Sequence, residues 1–189
     1  IDTARRKAER VAETLGPYVE DGYDVVVVEP SDLAMFRGDY DRLLPEESSE
    51  PLAEHSYEIL EYVYGLLANG ADTNGLNLAD GDGETVAYHA HCQQRTMGLD
   101  EYSVAVLDAC GYDVTTSDVE CCGMAGSFGY KEQYYELAMD VGSNLEEQLR
   151  DADCDHVIAS GTSCTDQIGD LLGEEPPHVI ELLAPDGDT

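Results

Sequence analysis

The amino-acid sequence predicts an α/β fold of two pseudo-repeated halves with mainly parallel sheets, and three observations carry that expectation. Short apolar runs alternate with amphipathic stretches of helical period along the chain, the pattern of strands joined by crossover helices. Val25 to Val28 is a continuous β-branched run of the kind found in strands covered on both faces. Sliding the chain by 132 residues lays Val25-Val26-Val27-Val28-Glu29-Pro30-Ser31-Asp32 on Val157-Ile158-Ala159-Ser160-Gly161-Thr162-Ser163-Cys164, each behind an amphipathic helix. The halves read as Rossmann-like: residues 1–70, then a linker over 71–84, then residues 85–189, which carry all six cysteines and the cysteine site. In the repeat register Asp32 takes the place of Cys164. The counterpart of Cys121-Cys122 then falls about ten residues ahead of Ile1, so the first half is expected to be N-terminally truncated.

Taken in order, Ala4, Ala8, Val11, Ala12, Leu15 and Val19 mark an amphipathic helix, interrupted near Gly16-Pro17 and ended at Gly22. A buried strand, Val25 to Val28, stops at Glu29-Pro30, where Ser31 or Asp32 can cap a short helix through Met35 and Phe36. Pro45 to Pro51 reads as a polar break. Leu52, Ile59, Leu60, Val63, Leu66 and Leu67 make the next helix, with Asn69-Gly70 as its stop. Ala71 to Gly83 is mostly Asp, Asn, Gly and Thr, a surface linker. Thr85 to Tyr88 is a short strand, Leu99 to Cys110 a helix closed by Gly111, and Tyr112 to Val119 leads to a Cys-Cys turn. Tyr130, Tyr134, Leu137, Ala138, Val141, Leu145 and Leu149 keep helical spacing. Val157 to Ala159 is the next strand, Ile168, Leu171 and Leu172 lie on a short helix, and Pro177 to Ile180 reads as a last strand.

Charge excludes several partners. Forty-one acidic residues against nine basic ones leave a net charge of −32, and only Lys7 and Lys131 are lysines. Such a field repels nucleic acid and anionic membranes. The acids are dispersed among helices and turns whose apolar faces stay intact, so the composition is read as adaptation to a cytosol of high salt. No apolar run approaches the ~20 residues of a membrane span, and no signal peptide opens the chain. The expected location is cytoplasmic. In that reducing compartment six cysteines mean metal or catalysis more often than disulfides.

The chemistry centres on Glu120-Cys121-Cys122-Gly123-Met124-Ala125-Gly126-Ser127-Phe128-Gly129, read as a metal-cluster turn between a strand and a helix N-terminus. The positive end of a helix dipole favours thiolate over thiol by ~0.3 to 1 kcal/mol, and thiolate is the form that binds metal. Gly123 can take φ > 0 and turn both sulfurs toward one point, and Gly126 lets the backbone approach a bulky inorganic ligand. Cys92, Cys121, Cys122 and Cys164 each fall just beyond a strand's carboxyl end, where parallel α/β sheets gather their ligands. Their spacing, Cys-x28-Cys-Cys-x41-Cys, lacks the tight clip of zinc ribbons and small ferredoxins. Of His89 and His91, alternation along the strand turns at most one toward the cluster turn. Cys110 on a helix stripe and Cys154 in an acidic turn are read as packing, and His55 and His178 as structural.

His89-Ala90-His91-Cys92-Gln93-Gln94, Cys122-Gly123-Met124-Ala125-Gly126-Ser127-Phe128-Gly129-Tyr130, Gly161-Thr162-Ser163-Cys164 and Glu29-Pro30-Ser31 together resemble the cysteine-rich CCG domain. It is the domain found in heterodisulfide reductase, in the iron–sulfur subunit of anaerobic glycerol-3-phosphate dehydrogenase, and in FAD-linked oxidases of the D-lactate or glycolate dehydrogenase type. The resemblance covers nearly the whole chain. It implies an electron-transfer domain holding an iron–sulfur cluster of 4Fe-4S type through Cys92, Cys121, Cys122 and Cys164, with Gly123, Gly126 and His91 against the cofactor. It further implies FAD on a partner dehydrogenase domain, a ferredoxin-like domain, and a quinone or other electron acceptor, with any membrane association made through a partner. The sequence departs from the family's closing Cys-x-x-Cys, because Gly161 stands at its first position, and Asp32 stands where many relatives have cysteine. No catalytic residue is identified, and the isolated chain is expected to have no turnover. A zinc site from these cysteines and a histidine, and a thiol redox role for Cys121-Cys122, stay open as alternatives.

Overall fold

The computed structural model describes residues 1–185. The chain opens with α1 (Asp2–Glu20), which runs through Pro17 where a break was expected. The helix continues because Val19, beyond the proline, is buried in one cluster with Ala8, Phe36, Tyr40, Leu44 and Leu52. Burying that turn offsets the hydrogen bond the proline removes. Then come β1 (Val25–Val27) and α2 (Pro30–Ala34), continued by a π-helical turn (Met35–Asp39) and α3 (Tyr40–Leu43). Three expectations are corrected here. The strand is not covered on both faces, since Val26 is 38% and Val28 55% exposed. The cap of α2 is Glu29, whose carboxylate accepts the Ser31 N–H at 3.3 Å, rather than Ser31 or Asp32. The stretch Pro45 to Pro51 is no break, because Pro45 is the N-cap of α4 (Glu46–Glu54), whose first turn carries Glu46 and Glu47. Acids there complement the helix dipole.

What read as one helix from Leu52 to Leu67 is interrupted by β2 (Ser56–Glu58) before α5 (Ile59–Ala68). The α5 start is a capping box: Glu58 accepts from the N–H of Leu60 and Glu61, and the Glu61 carboxylate accepts the N–H of Glu58. Residues 71–84 form turns whose Leu76 and Leu78 pack on the core that follows.

Beyond them lie β3 (Thr85–His89), α6 (Cys92–Thr96), α7 (Asp100–Ala109) and β4 (Asp113–Thr116). A 3₁₀ turn (Glu132–Tyr134) then leads into α8 (Tyr135–Asp151), β5 (His156–Ala159), α9 (Thr162–Leu172) and α10 (Val179–Leu182). All strand pairings are parallel, in a sheet of order β4-β3-β5 and a two-stranded sheet β1-β2. The architecture is α/β. The last strand expected at Pro177 to Ile180 shrinks to one parallel bridge between Ala159 and His178, after which α10 begins.

That bridge has a counterpart at the position matching Ala159 in the 132-residue register. Val27 pairs with Glu58 as Ala159 pairs with His178, and both Glu58 and His178 open a helix with a capping box. Alternation along β3 divides the core. Val86 and Tyr88 face a cluster with Leu60, Val63, Val106, Leu107 and Val179 from α5, α7 and α10. Ala87 faces the opposite cluster with Cys122, Leu145, Ala159, Cys164 and Ile168.

Candidate metal centre

The site is assembled at the carboxyl ends of the three strands of the larger sheet. β3 delivers His89, His91 and Cys92; the chain after β4 delivers Ser117 and Cys121-Cys122; β5 delivers Cys164 on the first turn of α9. Cys92, Cys121, Cys122 and Cys164 all line one cavity of about 110 Å³, which His89, His91 and Gly126 also line. Ser31 and Ser163, equivalent in the 132-residue register, face the same cavity. Asp32 does not line it. Cys122 and Cys164 are buried, Cys121 is half-buried and Cys92 exposed, so two sulfurs lie inside and two toward the mouth. Cys110 packs among Val106, Leu107 and Tyr112, and Cys154 packs beside Ala152 and Val157; neither reaches the cavity.

The Cys-Cys turn is not at a helix N-terminus. Residues 123–131 intervene before the 3₁₀ turn and α8, so the pair does not open that helix. Helix starts are supplied by other elements instead: Cys92 is the first residue of α6, and Cys164 the third of α9. Gly123, at φ 106°, is required for another reason as well, since a Cβ there would lie 2.2 Å from the carbonyl oxygen of Ala138. The turn is therefore pressed against α8, which aims the cysteines back at β3 and α9.

Of the two inner cysteines, Cys122 is the one held low. The Cys164 thiol donates to it, and His89 and the Met124 N–H add to this against the penalty of burial, so Cys122 is pulled down to about 4. The same contact pushes Cys164 well up, with burial acting in the same direction. Burial and the neighbouring Cys121 raise Cys92. A cation would reverse this penalty, because several thiols crowded together ionise readily only when positive charge sits among them.

Both histidines line the cavity, which corrects the expectation that at most one would: residues two apart share a face of an extended strand, and His91 keeps that side past the end of β3. Their roles differ. His91 Nδ1 accepts the Gln93 N–H at 3.1 Å and its Nε2 lies 3.8 Å from Glu29 Oε1, so both nitrogens face protein groups. Burial holds His91 below the usual imidazole range. His89 is fully buried, its Nδ1 is 2.7 Å from Ser117 Oγ, and its Nε2 has no hydrogen-bond partner. A ring nitrogen of His89 and the sulfurs of Cys122 and Cys164 all lie within 4.8 Å of one another, a group able to hold a metal.

The part played by the Glu29 carboxylate had no signal in the sequence beyond the Glu29-Pro30-Ser31 motif. Its Oε2 accepts the N–H of Thr162 at 2.9 Å, and burial, which would raise it, is outweighed by that bond and the Ser31 N–H, leaving the carboxylate below its usual range. Gly161, at φ 89°, has no room for a side chain, since a Cβ would lie 2.7 Å from His91 Cδ2. Where the full motif has its first closing cysteine, this chain has the His91 ring packed against glycine.

Fold and site define a class: a parallel α/β domain whose strand ends converge cysteines able to hold a metal. Residues 86–169 match the family model of the CCG cysteine-rich domain. A subunit of the anaerobic glycerol-3-phosphate dehydrogenase of Escherichia coli strain K12 is 32% identical over 100 residues, covering 52% of this chain and 25% of that protein. D-2-hydroxyglutarate dehydrogenase of Pantoea ananatis is 24% identical over 181 residues, 94% of this chain and 17% of the relative. The Haemophilus influenzae enzyme of the same name is 25% identical over 184 residues, 94% of this chain and 18% of its own length. The chain thus spans a quarter or less of these relatives. No helix among the described residues is long and apolar enough to cross a membrane.

Proposed function

We propose that this chain is the electron-transfer domain of a flavin-dependent dehydrogenase and holds an iron–sulfur centre of 4Fe-4S type through Cys92, Cys121, Cys122 and Cys164. The observation that carries the reading is convergence: four cysteines from three strand ends line one cavity, with two of their sulfurs buried beside an unpartnered imidazole nitrogen. Thiolates are the ligands such clusters take, and a cluster supplies one-electron transfer when bound. The residues fit that group. Cys122 is poised as thiolate, Gly123 lets the turn close against α8, and Gly126 leaves backbone rather than side chain at the cavity wall.

The flavin would sit on a partner domain, with a ferredoxin-like domain beside it and a quinone or another acceptor downstream. The relatives' names point to glycerol-3-phosphate or D-2-hydroxyglutarate as the substrate of the whole assembly, and the sequence resemblance adds lactate and glycolate as 2-hydroxyacids of the same kind. Residues 1–70 would be the first CCG-type half, 71–84 the linker and 85–189 the half that carries the cysteine site. All six cysteines are free, in keeping with a reducing cytoplasm. Gly123, Gly126 and His91 would border the cluster without ligating it.

Anaerobic reconstitution of the chain with ferrous iron and sulfide tests this. Brown colour with broad absorption near 400 nm and bound iron and sulfide is expected; one equivalent of zinc with no chromophore would instead favour a mononuclear site, which the close group of His89, Cys122 and Cys164 also suits.

A further inference from the structure

We propose that His89 is itself a ligand, through Nε2, so that the centre has a mixed thiolate and imidazole shell rather than four sulfurs. The inference rests on the metal-centre reading and goes past it, because it makes the His89 ring, already beside Cys122, a ligand of the metal as well. Buried polar atoms nearly always find a partner, and those that do not call for an explanation. His89 Nε2 is such an atom: the residue is fully buried, the nitrogen has no hydrogen-bond partner, and the ring stands within reach of the sulfurs of Cys122 and Cys164.

The other side of the ring is held as a ligand histidine needs. Metal-bound imidazoles donate their second N–H to a fixed acceptor, which sets the tautomer and the ring's orientation. Ser117 Oγ is that acceptor at 2.7 Å from Nδ1, and Ser117 is fixed in turn by the Arg95 guanidinium, which donates to its carbonyl oxygen at 2.5 Å and to Oγ at 3.2 Å. A hydroxyl oxygen has two lone pairs and can accept from both. With the proton on Nδ1, the lone pair of Nε2 points to the sulfurs. His91 lacks this freedom, since its Nδ1 caps α6 and its Nε2 faces Glu29.

Chain direction gives the same answer. Alternation along β3 sends Ala87 and His89 to the face that holds Cys122 and Cys164, so the strand delivers the ring from behind the two inner sulfurs while Cys92 and Cys121 close the mouth. A neutral imidazole in place of a thiolate removes one negative charge from the ligand shell. That favours the reduced centre, as it does where histidines replace cysteines on iron. In a chain of net charge −32 this offsets part of the repulsion against an incoming electron.

The test uses the chain with all histidines labelled with nitrogen-15, reconstituted with iron and sulfide and reduced, with pulsed EPR reading nitrogen coupling. A directly bonded nitrogen is expected in the unaltered chain and in His91→Asn. It should vanish in His89→Cys, which keeps a ligand at the position and should retain iron while shifting the midpoint potential to more negative values. Bound iron without nitrogen coupling in the unaltered chain, or coupling that survives His89→Cys, overturns the proposal while leaving the cluster reading intact. Should iron fail to bind but cobalt(II) bind, X-ray absorption with cobalt decides in its place: a sulfur and nitrogen shell supports His89, and sulfur alone refutes it. Failure of both metals to bind overturns this proposal together with the reading on which it rests. Because only the labelled unaltered chain is needed for the primary result, a poorly folding His89 variant does not block the decision.

Discussion

Glu29 Oε2 accepts the backbone N–H of Thr162 at 2.9 Å across 133 residues of chain. Glu29 already caps its own helix, α2, through the Ser31 N–H, so one carboxylate serves the N-termini of two helices whose starts lie 132 residues apart. It also lies 3.8 Å from His91 Nε2. The position of Cys164, on the first turn of α9, therefore depends on a residue from the other end of the molecule.

Replacing that carboxylate should be felt in both stability and metal retention. Glu29→Ala is expected to lower stability by about 1 kcal/mol, the usual worth of a helix cap, and to speed iron loss to a chelator. The pH dependence has a definite sign. Glu29 is held below its ordinary value in the folded chain, so its stabilisation is present above the unfolded carboxylate value of about 4.3 and disappears as pH falls through the folded value. Urea unfolding of the native chain and Glu29→Ala should differ at pH 7 and converge below pH ~4; a gap of equal size at both pH values would show that charge plays no part.

Glu58 titrates in the opposite sense. It is fully buried, its Oε1 has no partner, and burial raises it to about 7 despite the Leu60 and Glu61 N–H bonds to its carboxylate. A raised folded value means stability that is complete below about pH 4.3 and lost as pH climbs through 7. Glu58→Gln, uncharged throughout, should gain stability relative to the native chain between pH 5 and pH 8, by on the order of 1–3 kcal/mol. Denaturation midpoints that run parallel over this range would contradict the assignment.

Cysteine variants should sort by their place in the cavity. Cys122→Ser and Cys164→Ser remove buried sulfurs beside His89 and are expected to abolish metal binding. Cys92→Ser and Cys121→Ser, nearer the mouth, should lose most of the iron, whereas Cys110→Ser and Cys154→Ser should keep it because both side chains pack outside the cavity. Iron and sulfide counts after identical reconstitution read the result, and equal counts across all six variants would sink the site.

Salt should stabilise the chain. With a net charge of −32 and four side-chain nitrogen-to-carboxylate contacts of 3.2 Å or less among the described residues, most acids lack a cationic neighbour and repel one another. Potassium chloride shortens the screening length from ~10 Å at 0.1 M to ~3 Å at 1 M. The melting temperature should rise across that range, by about 2–4 °C for each kcal/mol gained in a chain of this size, and a flat profile would remove the reading of high-salt adaptation.

The amino-acid sequence by itself determined that the chain alternates strands with helices, that Val25 to Val28 and Val157 to Ala159 contain strands, and that Cys92, Cys121, Cys122 and Cys164 lie beyond strand ends. These are local matters: hydrophobic period and β-branched runs act over a few residues, and parallel pairing places successive strand ends on one edge. Boundaries were less legible where packing overrode local signals, as at Pro17, where a buried Val19 carries the helix onward, and at Ser56–Glu58, whose three residues are too few to show a strand's alternation against helix-like flanks. Only the tertiary structure decided which groups meet. No sequence spacing says that the chain takes residues 123–131 to reach α8, because that path is set by the contact of Gly123 with the Ala138 carbonyl. Nor does it say that His91 is occupied by Gln93 and Glu29 while His89 keeps a nitrogen for the sulfurs, or that Glu29 reaches Thr162. Hydrogen bonds and burial act between atoms a few ångströms apart, whatever their distance along the chain, and only the folded backbone brings those atoms to that range.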